Sequence, residues 1–266
     1  MVPAFPGLSA DDLFLGEGET WWHHVSMRVG AYVDGFNLYY GGRSLLNGSP
    51  GWKWLDLRSL ATWYAQWQGA TVERVVYCTA RVNDPDDLAQ TQRQARYLDA
   101  LRAHGSVDVL EEVYYSSWAK ESVMTNDPSN YLPSALRDDR AAYSWSPELP
   151  VRRATDGTML ARVRKREEKG SDVNVATHLL TDVLTGAVDA AIVISNDSDL
   201  ALPIRTARSR VPVGLINPQK KPLAGALKGH ASEGAGRHWW RRLEALALQE
   251  CQMPARVGAI TKPASW

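Results

Sequence analysis

Two short apolar runs that each stop on an aspartate constrain this chain more than any other feature. Val29-Gly30-Ala31-Tyr32-Val33 ends at Asp34-Gly35-Phe36-Asn37, and far downstream Ala190-Ala191-Ile192-Val193-Ile194 ends at Ser195-Asn196-Asp197-Ser198-Asp199. Runs this apolar, without helical period, read as strands buried on both faces, as in a parallel sheet covered by helices. The carboxyl ends of such strands line one crevice, so Asp34, Asp197 and Asp199 are expected to meet there. Glu167-Glu168-Lys169-Gly170-Ser171-Asp172 opens a helical pattern and offers a fourth acid, Asp172. Carboxylates within about 4 Å of each other repel by roughly 4 kcal/mol per pair at an intermediate dielectric, so such a cluster is expected to surround a divalent cation. A metal-dependent enzyme is the expectation.

From Met27 onward, strand and helix patterns alternate. Strands are expected over 29–33, 72–80 and 107–115, with helices over 55–67 and 88–103 between them. After an interruption the pattern resumes with a helix over 171–184, a strand over 190–194, a helix over 199–208 and a strand over 211–216. This succession implies parallel pairing, and the expected fold is an α/β, Rossmann-like α/β/α sandwich with a mainly parallel sheet of about five strands. The interruption, 116–149, is rich in Pro, Asn and Ser and reads as a loop. Residues 151–166, broken at Asp156-Gly157, read as a β-hairpin that could fold over the crevice beside Asp172. The main domain is expected over 27–220, with an insertion at 116–166. Residues 1–26 are expected to form a flexible extension. Residues 221–266 are expected to hold one short helix, over 239–248, and a frayed end.

Charge restricts the partners. Thirty basic and thirty acidic residues balance, which argues against coating nucleic acid through an overall field. Locally, Arg152, Arg153, Arg162, Arg164, Lys165, Arg166 and Lys169 precede Asp172, and Arg205, Arg208, Arg210, Lys220, Lys221 and Lys228 follow Asp199. Basic segments beside an acidic metal centre suit a polyanionic substrate. Cys78 and Cys251 have no metal-ligand spacing, so a reducing, cytoplasmic setting is expected. No apolar stretch approaches the roughly 20 residues that span a bilayer, so no membrane partner is expected.

Three motifs in order, Tyr32-Val33-Asp34-Gly35-Phe36-Asn37-Leu38-Tyr39, Lys169-Gly170-Ser171-Asp172-Val173-Asn174 and Ile194-Ser195-Asn196-Asp197-Ser198-Asp199-Leu200, resemble NYN domains of the PIN-like nuclease superfamily. The resemblance covers roughly Arg28 to Asn217. It implies a PIN-like fold, a Mg²⁺ or Mn²⁺ centre and hydrolysis of phosphodiester bonds, most often in single-stranded RNA. It maps the catalytic and metal-holding acids onto Asp34, Asp172, Asp197 and Asp199. Asp34 and Asp197 are expected as direct ligands, with Asp172 or Asp199 accepting the proton of the attacking water. Asn37, Arg43, Lys169 and Ser195 are the expected substrate contacts, and a homo-oligomer is compatible with this reading. His178 stands where many NYN domains carry a further aspartate, and Asp182 follows one turn later, able to substitute for it or to pair with His178.

Each residue also has a plainer explanation. Asp34 can form a turn before Gly35, Asp172 can simply favour a helix start, and any of Ser195, Asn196, Asp197 and Ser198 can cap the following helix. Asn37 can cap a helix or bond a carboxylate. Trp63 and Trp67 are expected in or near the core; Tyr39, Tyr40, Trp52 and Trp54 are better candidates for base stacking, although core packing is favoured for them too. Two other functions compete: a catalytically inactive PIN-like RNA-binding or adaptor module, and a haloacid dehalogenase-like phosphatase using Asp197-Ser198-Asp199. The phosphatase would need acids further on, but no Asp or Glu occurs between Leu200 and Ser232.

Overall fold

The computed structural model describes residues 26–82, 87–126, 134–138 and 150–266. Strand β1 (Met27–Asp34) lies at the centre of the sheet. From it the chain passes through helices α1 (Gly35–Leu45) and α2 (Leu57–Tyr64) to β2 (Ala70–Arg81), then through α3 (Leu88–His104) to β3 (Val109–Val123). A hairpin of β4 (Val151–Arg153) and β5 (Met159–Glu168) leads into α4 (Ser171–Leu184). The chain then reaches β6 (Ala190–Ile194), α5 (Ala201–Arg208), β7 (Val213–Asn217), β8 (Trp239–Arg242) and α6 (Ala245–Glu250). The sheet order is β4-β5-β3-β2-β1-β6-β7-β8. The six strands from β3 to β8 in that order pair in parallel, and β4, β5 and the far half of β3 pair antiparallel. The α/β expectation therefore holds, with six parallel strands.

Side chains alternate across the sheet and define two cores. Val29, Ala31 and Val33 of β1 and Ile192 and Ile194 of β6 pack with α2, α3 and α6 through Leu57, Leu60, Leu98, Leu101 and Leu248. Tyr32, Ala191 and Val193 face the opposite way and meet Val175 and Leu179 of α4 and Ile204 of α5. Direction reverses at β1: β2 and β3 are added on one side, β6, β7 and β8 on the other. The carboxyl ends of β1 and β6 thus flank a topological switch point, where open α/β sheets place their ligands.

Several elements depart from expectation. Strand β3 continues past Tyr115, because its residues from Tyr115 to Val123 leave β2 and pair with β5. Part of the expected loop is therefore a ribbon, and β5 returns along it to end just before Gly170 and Asp172. Residues 134–138 make bridges to Thr125 and Thr158. The remainder of the expected loop, 127–133 and 139–149, lies outside the described residues, as do 1–25 of the expected extension.

Residues 239–248 are not one helix. Trp239–Arg242 form β8, which satisfies the outer edge of β7, while the Trp239 indole lies over Gly214 and 5.3 Å from Trp67. The carboxyl end does not fray. Arg256–Val257 and Ile260–Thr261 form a small antiparallel hairpin, β9 and β10, turning at Gly258 with φ +56°. Trp266 then packs 6.2 Å from Trp54 and 5.8 Å from Tyr97. No helix among the described residues is long and apolar enough to cross a membrane.

Candidate functional site

Alternation along β1 puts Asp34 on the face of Tyr32, the face that α4 covers. It is also the N-cap of α1: Oδ1 accepts the Asn37 backbone N–H at 3.0 Å. Oδ2 accepts from Asn37 Nδ2 at 2.7 Å and from Ser195 Oγ at 2.9 Å. Gly35 permits this entry into the helix, since a Cβ there would stand 2.9 Å from the Cys78 carbonyl oxygen and from Thr79. Burial raises the pKa of Asp34, the hydrogen bonds from Asn37 and Ser195 oppose that rise, and the Asp197 charge adds to it.

The end of β6 is held by the same network. Buried Ser195 accepts the Asp197 N–H at 3.0 Å while donating to Asp34. Asp197 caps the short 3-10 turn Ser198–Leu200 through Oδ1 and the Asp199 N–H, also 3.0 Å, so of the four possible caps it is the one used. Asn37 bonds the Asp34 carboxylate, and its Oδ1 accepts from Gln219 Nε2 at 2.8 Å and from the Asn196 N–H at 3.3 Å. Asn196 in turn accepts the Ala224 N–H at 2.8 Å and donates to the Pro222 carbonyl at 3.2 Å. Asn196 and Gln219 were not expected in the site. Gln219 follows the end of β7, and a third polar segment at a parallel-strand end was the signal that could have found it.

Asp172 completes the group. Gly170, at φ +98°, turns the chain into α4 with no side-chain cap, which leaves Asp172 in the first helical turn. A helix start favours a carboxylate. Burial nevertheless pushes the Asp172 pKa up to about 6, and the charges of Asp34, Asp197 and Asp199 push it the same way. Asp172 thus feels the charges of the other three acids, and Asp34 that of Asp197.

Their chemistry suits a hard divalent cation, because the donors are all carboxylate oxygens and a cation would offset both the repulsion and the burial. Among the described residues, however, no three His, Cys, Asp or Glu side chains are grouped so that they could hold a metal ion. Binding would require the side chains to draw inward.

Other expected residues lie elsewhere. Arg43 occupies the last turn of α1, where its charge is felt by Lys53. Lys169 is next to the rim, its Nζ 5.4 Å from the centre of the Trp118 ring. His178 and Asp182 neither join the acids nor pair with each other. His178 meets Glu111 of β3 at 2.9 Å, while buried Asp182 accepts from the Tyr32 hydroxyl at 3.0 Å and from Arg74 at 2.6 Å. Arg208 is buried and donates to the Leu227 carbonyl, so it is not part of a guiding surface. Trp52 and Trp54 are core residues rather than stacking platforms, Trp67 is buried and Trp63 is exposed.

No protein-family model matches the chain. Over 265 aligned residues it is 28% identical to the 6-hydroxy-3-succinoylpyridine 3-monooxygenase HspA of Pseudomonas putida, a match that covers 90% of this chain and 75% of that protein. Among solved structures it is similar to a Vibrio parahaemolyticus protein of unknown function, with 17% identity and a TM-score of 0.42, covering 85% of this chain and 97% of that one. The match to the monooxygenase corrects the expected NYN-domain ribonuclease, together with the inactive RNA-binding module and the phosphatase weighed beside it. The relative is an oxidoreductase. The three motifs specify how strand ends and a helix start bring acids to a rim, and a rim of that kind does not dictate which reaction occurs there. RNA as substrate entered only through the resemblance.

Proposed function

We propose that this chain is an oxidoreductase of the monooxygenase type, acting at the acidic rim on a hydroxylated nitrogen heteroaromatic. The observation that carries this reading is the extent of the match to the Pseudomonas putida monooxygenase. It leaves only a tenth of the chain outside, fewer residues than precede Asp34, so the whole span from Asp34 to Asp199 lies within it. Monooxygenation consumes dioxygen and a two-electron reductant; one oxygen atom enters the substrate and the other leaves as water.

The residues of the rim support the proton-handling part of such a reaction. A ring hydroxyl that loses its proton makes the ring richer in electrons and easier to oxygenate. Asp172, with a pKa of about 6, accepts that proton near neutrality. Asp34 is held by Ser195 and Asn37, and Asp197 by the same Ser195, so both keep fixed positions beside the substrate. Mg²⁺ or Mn²⁺ would be held by Asp34, Asp197 and Asp199 only once those side chains drew together, and would then neutralise the cluster and polarise a substrate oxygen.

The test is incubation of the purified protein with 6-hydroxy-3-succinoylpyridine, reduced nicotinamide nucleotide and oxygen-18 gas. The reading expects substrate-dependent oxygen uptake and one labelled atom in the product. Oxygen uptake that ignores the substrate, or a product labelled only from water, would rule it out.

A further inference from the structure

Helix α1 leaves the rim with one face committed to packing. Gly35, Leu38, Gly41 and Gly42 are buried, a Cβ on Gly41 would collide with the Pro218 backbone, and Trp52 lies against Gly42. The opposite face carries Phe36, Tyr40 and Arg43, spaced i, i+4 and i+7, so they form one stripe. Phe36 and Tyr40 stack with ring centres 6.1 Å apart and planes 30° apart, and Tyr40 is 57% exposed. Phe36 is next to Asn37 of the acid network, which makes it the rim end of the stripe. Arg43 is the far end, about 10 Å along the helix axis.

Positive charge gathers at that far end. Tyr39 packs 5.7 Å from Trp52, which brings the segment carrying Lys53 against the last turn of α1. Burial lowers the pKa of Lys53, and the charges of Arg93 and Arg43 lower it further. Among the described residues Arg93 pairs with Asp87, at a distant 3.9 Å. Among the described residues Arg43 and Lys53 make no ion pair. Cations crowded in this way favour an anionic ligand, and a carboxylate between a guanidinium and an ammonium gains charge-assisted hydrogen bonds.

We infer that the solvent face of α1 is a specificity subsite for an aromatic acid, with the ring against Phe36 and Tyr40 and the carboxylate between Arg43 and Lys53. This rests on the monooxygenase reading for the placement of the reacting ring end at the acids. A succinoyl arm ends in a carboxylate, and a ring bearing such an arm has the length to reach from the rim to Arg43. Arg43, Lys53, Phe36 and Tyr40 act here as binding residues. Arg43 and Lys53 hold the carboxylate end, away from the ring, and Phe36 and Tyr40 orient the ring.

The test measures equilibrium binding by calorimetry without reductant, for 6-hydroxy-3-succinoylpyridine and for its carboxamide, to the full-length protein and to Arg43→Gln, Lys53→Gln and Tyr40→Ala. The parent protein binds the acid about tenfold more tightly than the amide, and each charge substitution removes that preference while leaving amide affinity unchanged. Tyr40→Ala weakens both ligands together. Equal affinity of the parent for acid and amide, or a preference that survives both charge substitutions, overturns the subsite. The two readings fail separately. If acid binding depends on Arg43 and Lys53 but no oxygen is consumed, the subsite stands and the oxygenase reading falls. If oxygen is consumed with a KM indifferent to Arg43→Gln and Lys53→Gln, the reverse holds.

Discussion

The Ser195 hydroxyl lies 2.9 Å from Asp34 Oδ2 and joins the ends of two parallel strands that are 161 residues apart in sequence. The same oxygen accepts the Asp197 N–H, so one small buried side chain fixes both strand-end acids. Ser195→Ala leaves Asp34 with one donor fewer and an amide without its acceptor. We expect a loss of about 1–3 kcal/mol in urea unfolding, and activity to fall together with it. Ser195→Thr, which keeps the hydroxyl, is expected to recover part of both.

Asp172 works against the fold. Its pKa is about 6 in the native chain and 3.8 when unconstrained, so between those values the native state holds more proton than the unfolded state. Stability therefore falls as pH rises through that window, and the penalty is fully present above it. Asp172→Asn removes the penalty. At pH 7.5 we expect this variant to be more stable than its parent by about 1 kcal/mol, well below the full equivalent of the shift because the side chain is only half buried. The difference should vanish below pH 4. Activity should fall by about 10²-fold in the same variant, and in the parent it should rise with pH through about 6 as Asp172 becomes able to accept a proton.

A divalent cation held by Asp34, Asp197 and Asp199 would stabilise the native state. Mn²⁺ or Mg²⁺ at about 100 times its dissociation constant adds about 2.7 kcal/mol, which for a chain of this size raises the thermal midpoint by about 2–4 °C per kcal/mol. Calorimetry with and without the ion should show the rise in the parent and lose it in Asp197→Asn. An equal midpoint in EDTA and in excess Mn²⁺ would exclude this use of the cluster.

Trp266 closes the aromatic box of Trp54 and Tyr97. Trp266→Ala is expected to cost about 2 kcal/mol in chemical denaturation. A frayed end would cost nothing.

The strand ends and the helix start were legible because their signals are local. Apolar runs that stop at a polar segment carrying Asp gave β1 and β6, and Gly170 before an apolar helical period gave α4 with the bounds observed. β8 was not legible, since Trp239 and Trp240 followed by Leu243, Ala247 and Leu248 satisfy a helical period, and only the open edge of β7 decides for a strand. The same holds for Trp266, whose partners lie far away in sequence. Of the site, the four acids and Asn37 could be read, whereas Asn196 and Gln219 needed knowledge of which strand ends are neighbours. His178 and Asp182 looked like members of the cluster by spacing alone, but Glu111, Tyr32 and Arg74 had prior claim on them. The reaction was not legible, because carboxylates gathered at a switch point do not by themselves dictate which reaction occurs there.

The most direct measurement compares substrate-dependent oxygen uptake by the parent protein with that of Asp34→Asn and Asp197→Asn, each confirmed as folded by its circular dichroism and thermal midpoint. A neutral amide keeps the shape and loses the charge, so the acidic rim as reaction centre predicts that uptake falls by about 10²-fold or more in both variants while the fold persists. Uptake at the parental rate in either folded variant would contradict it.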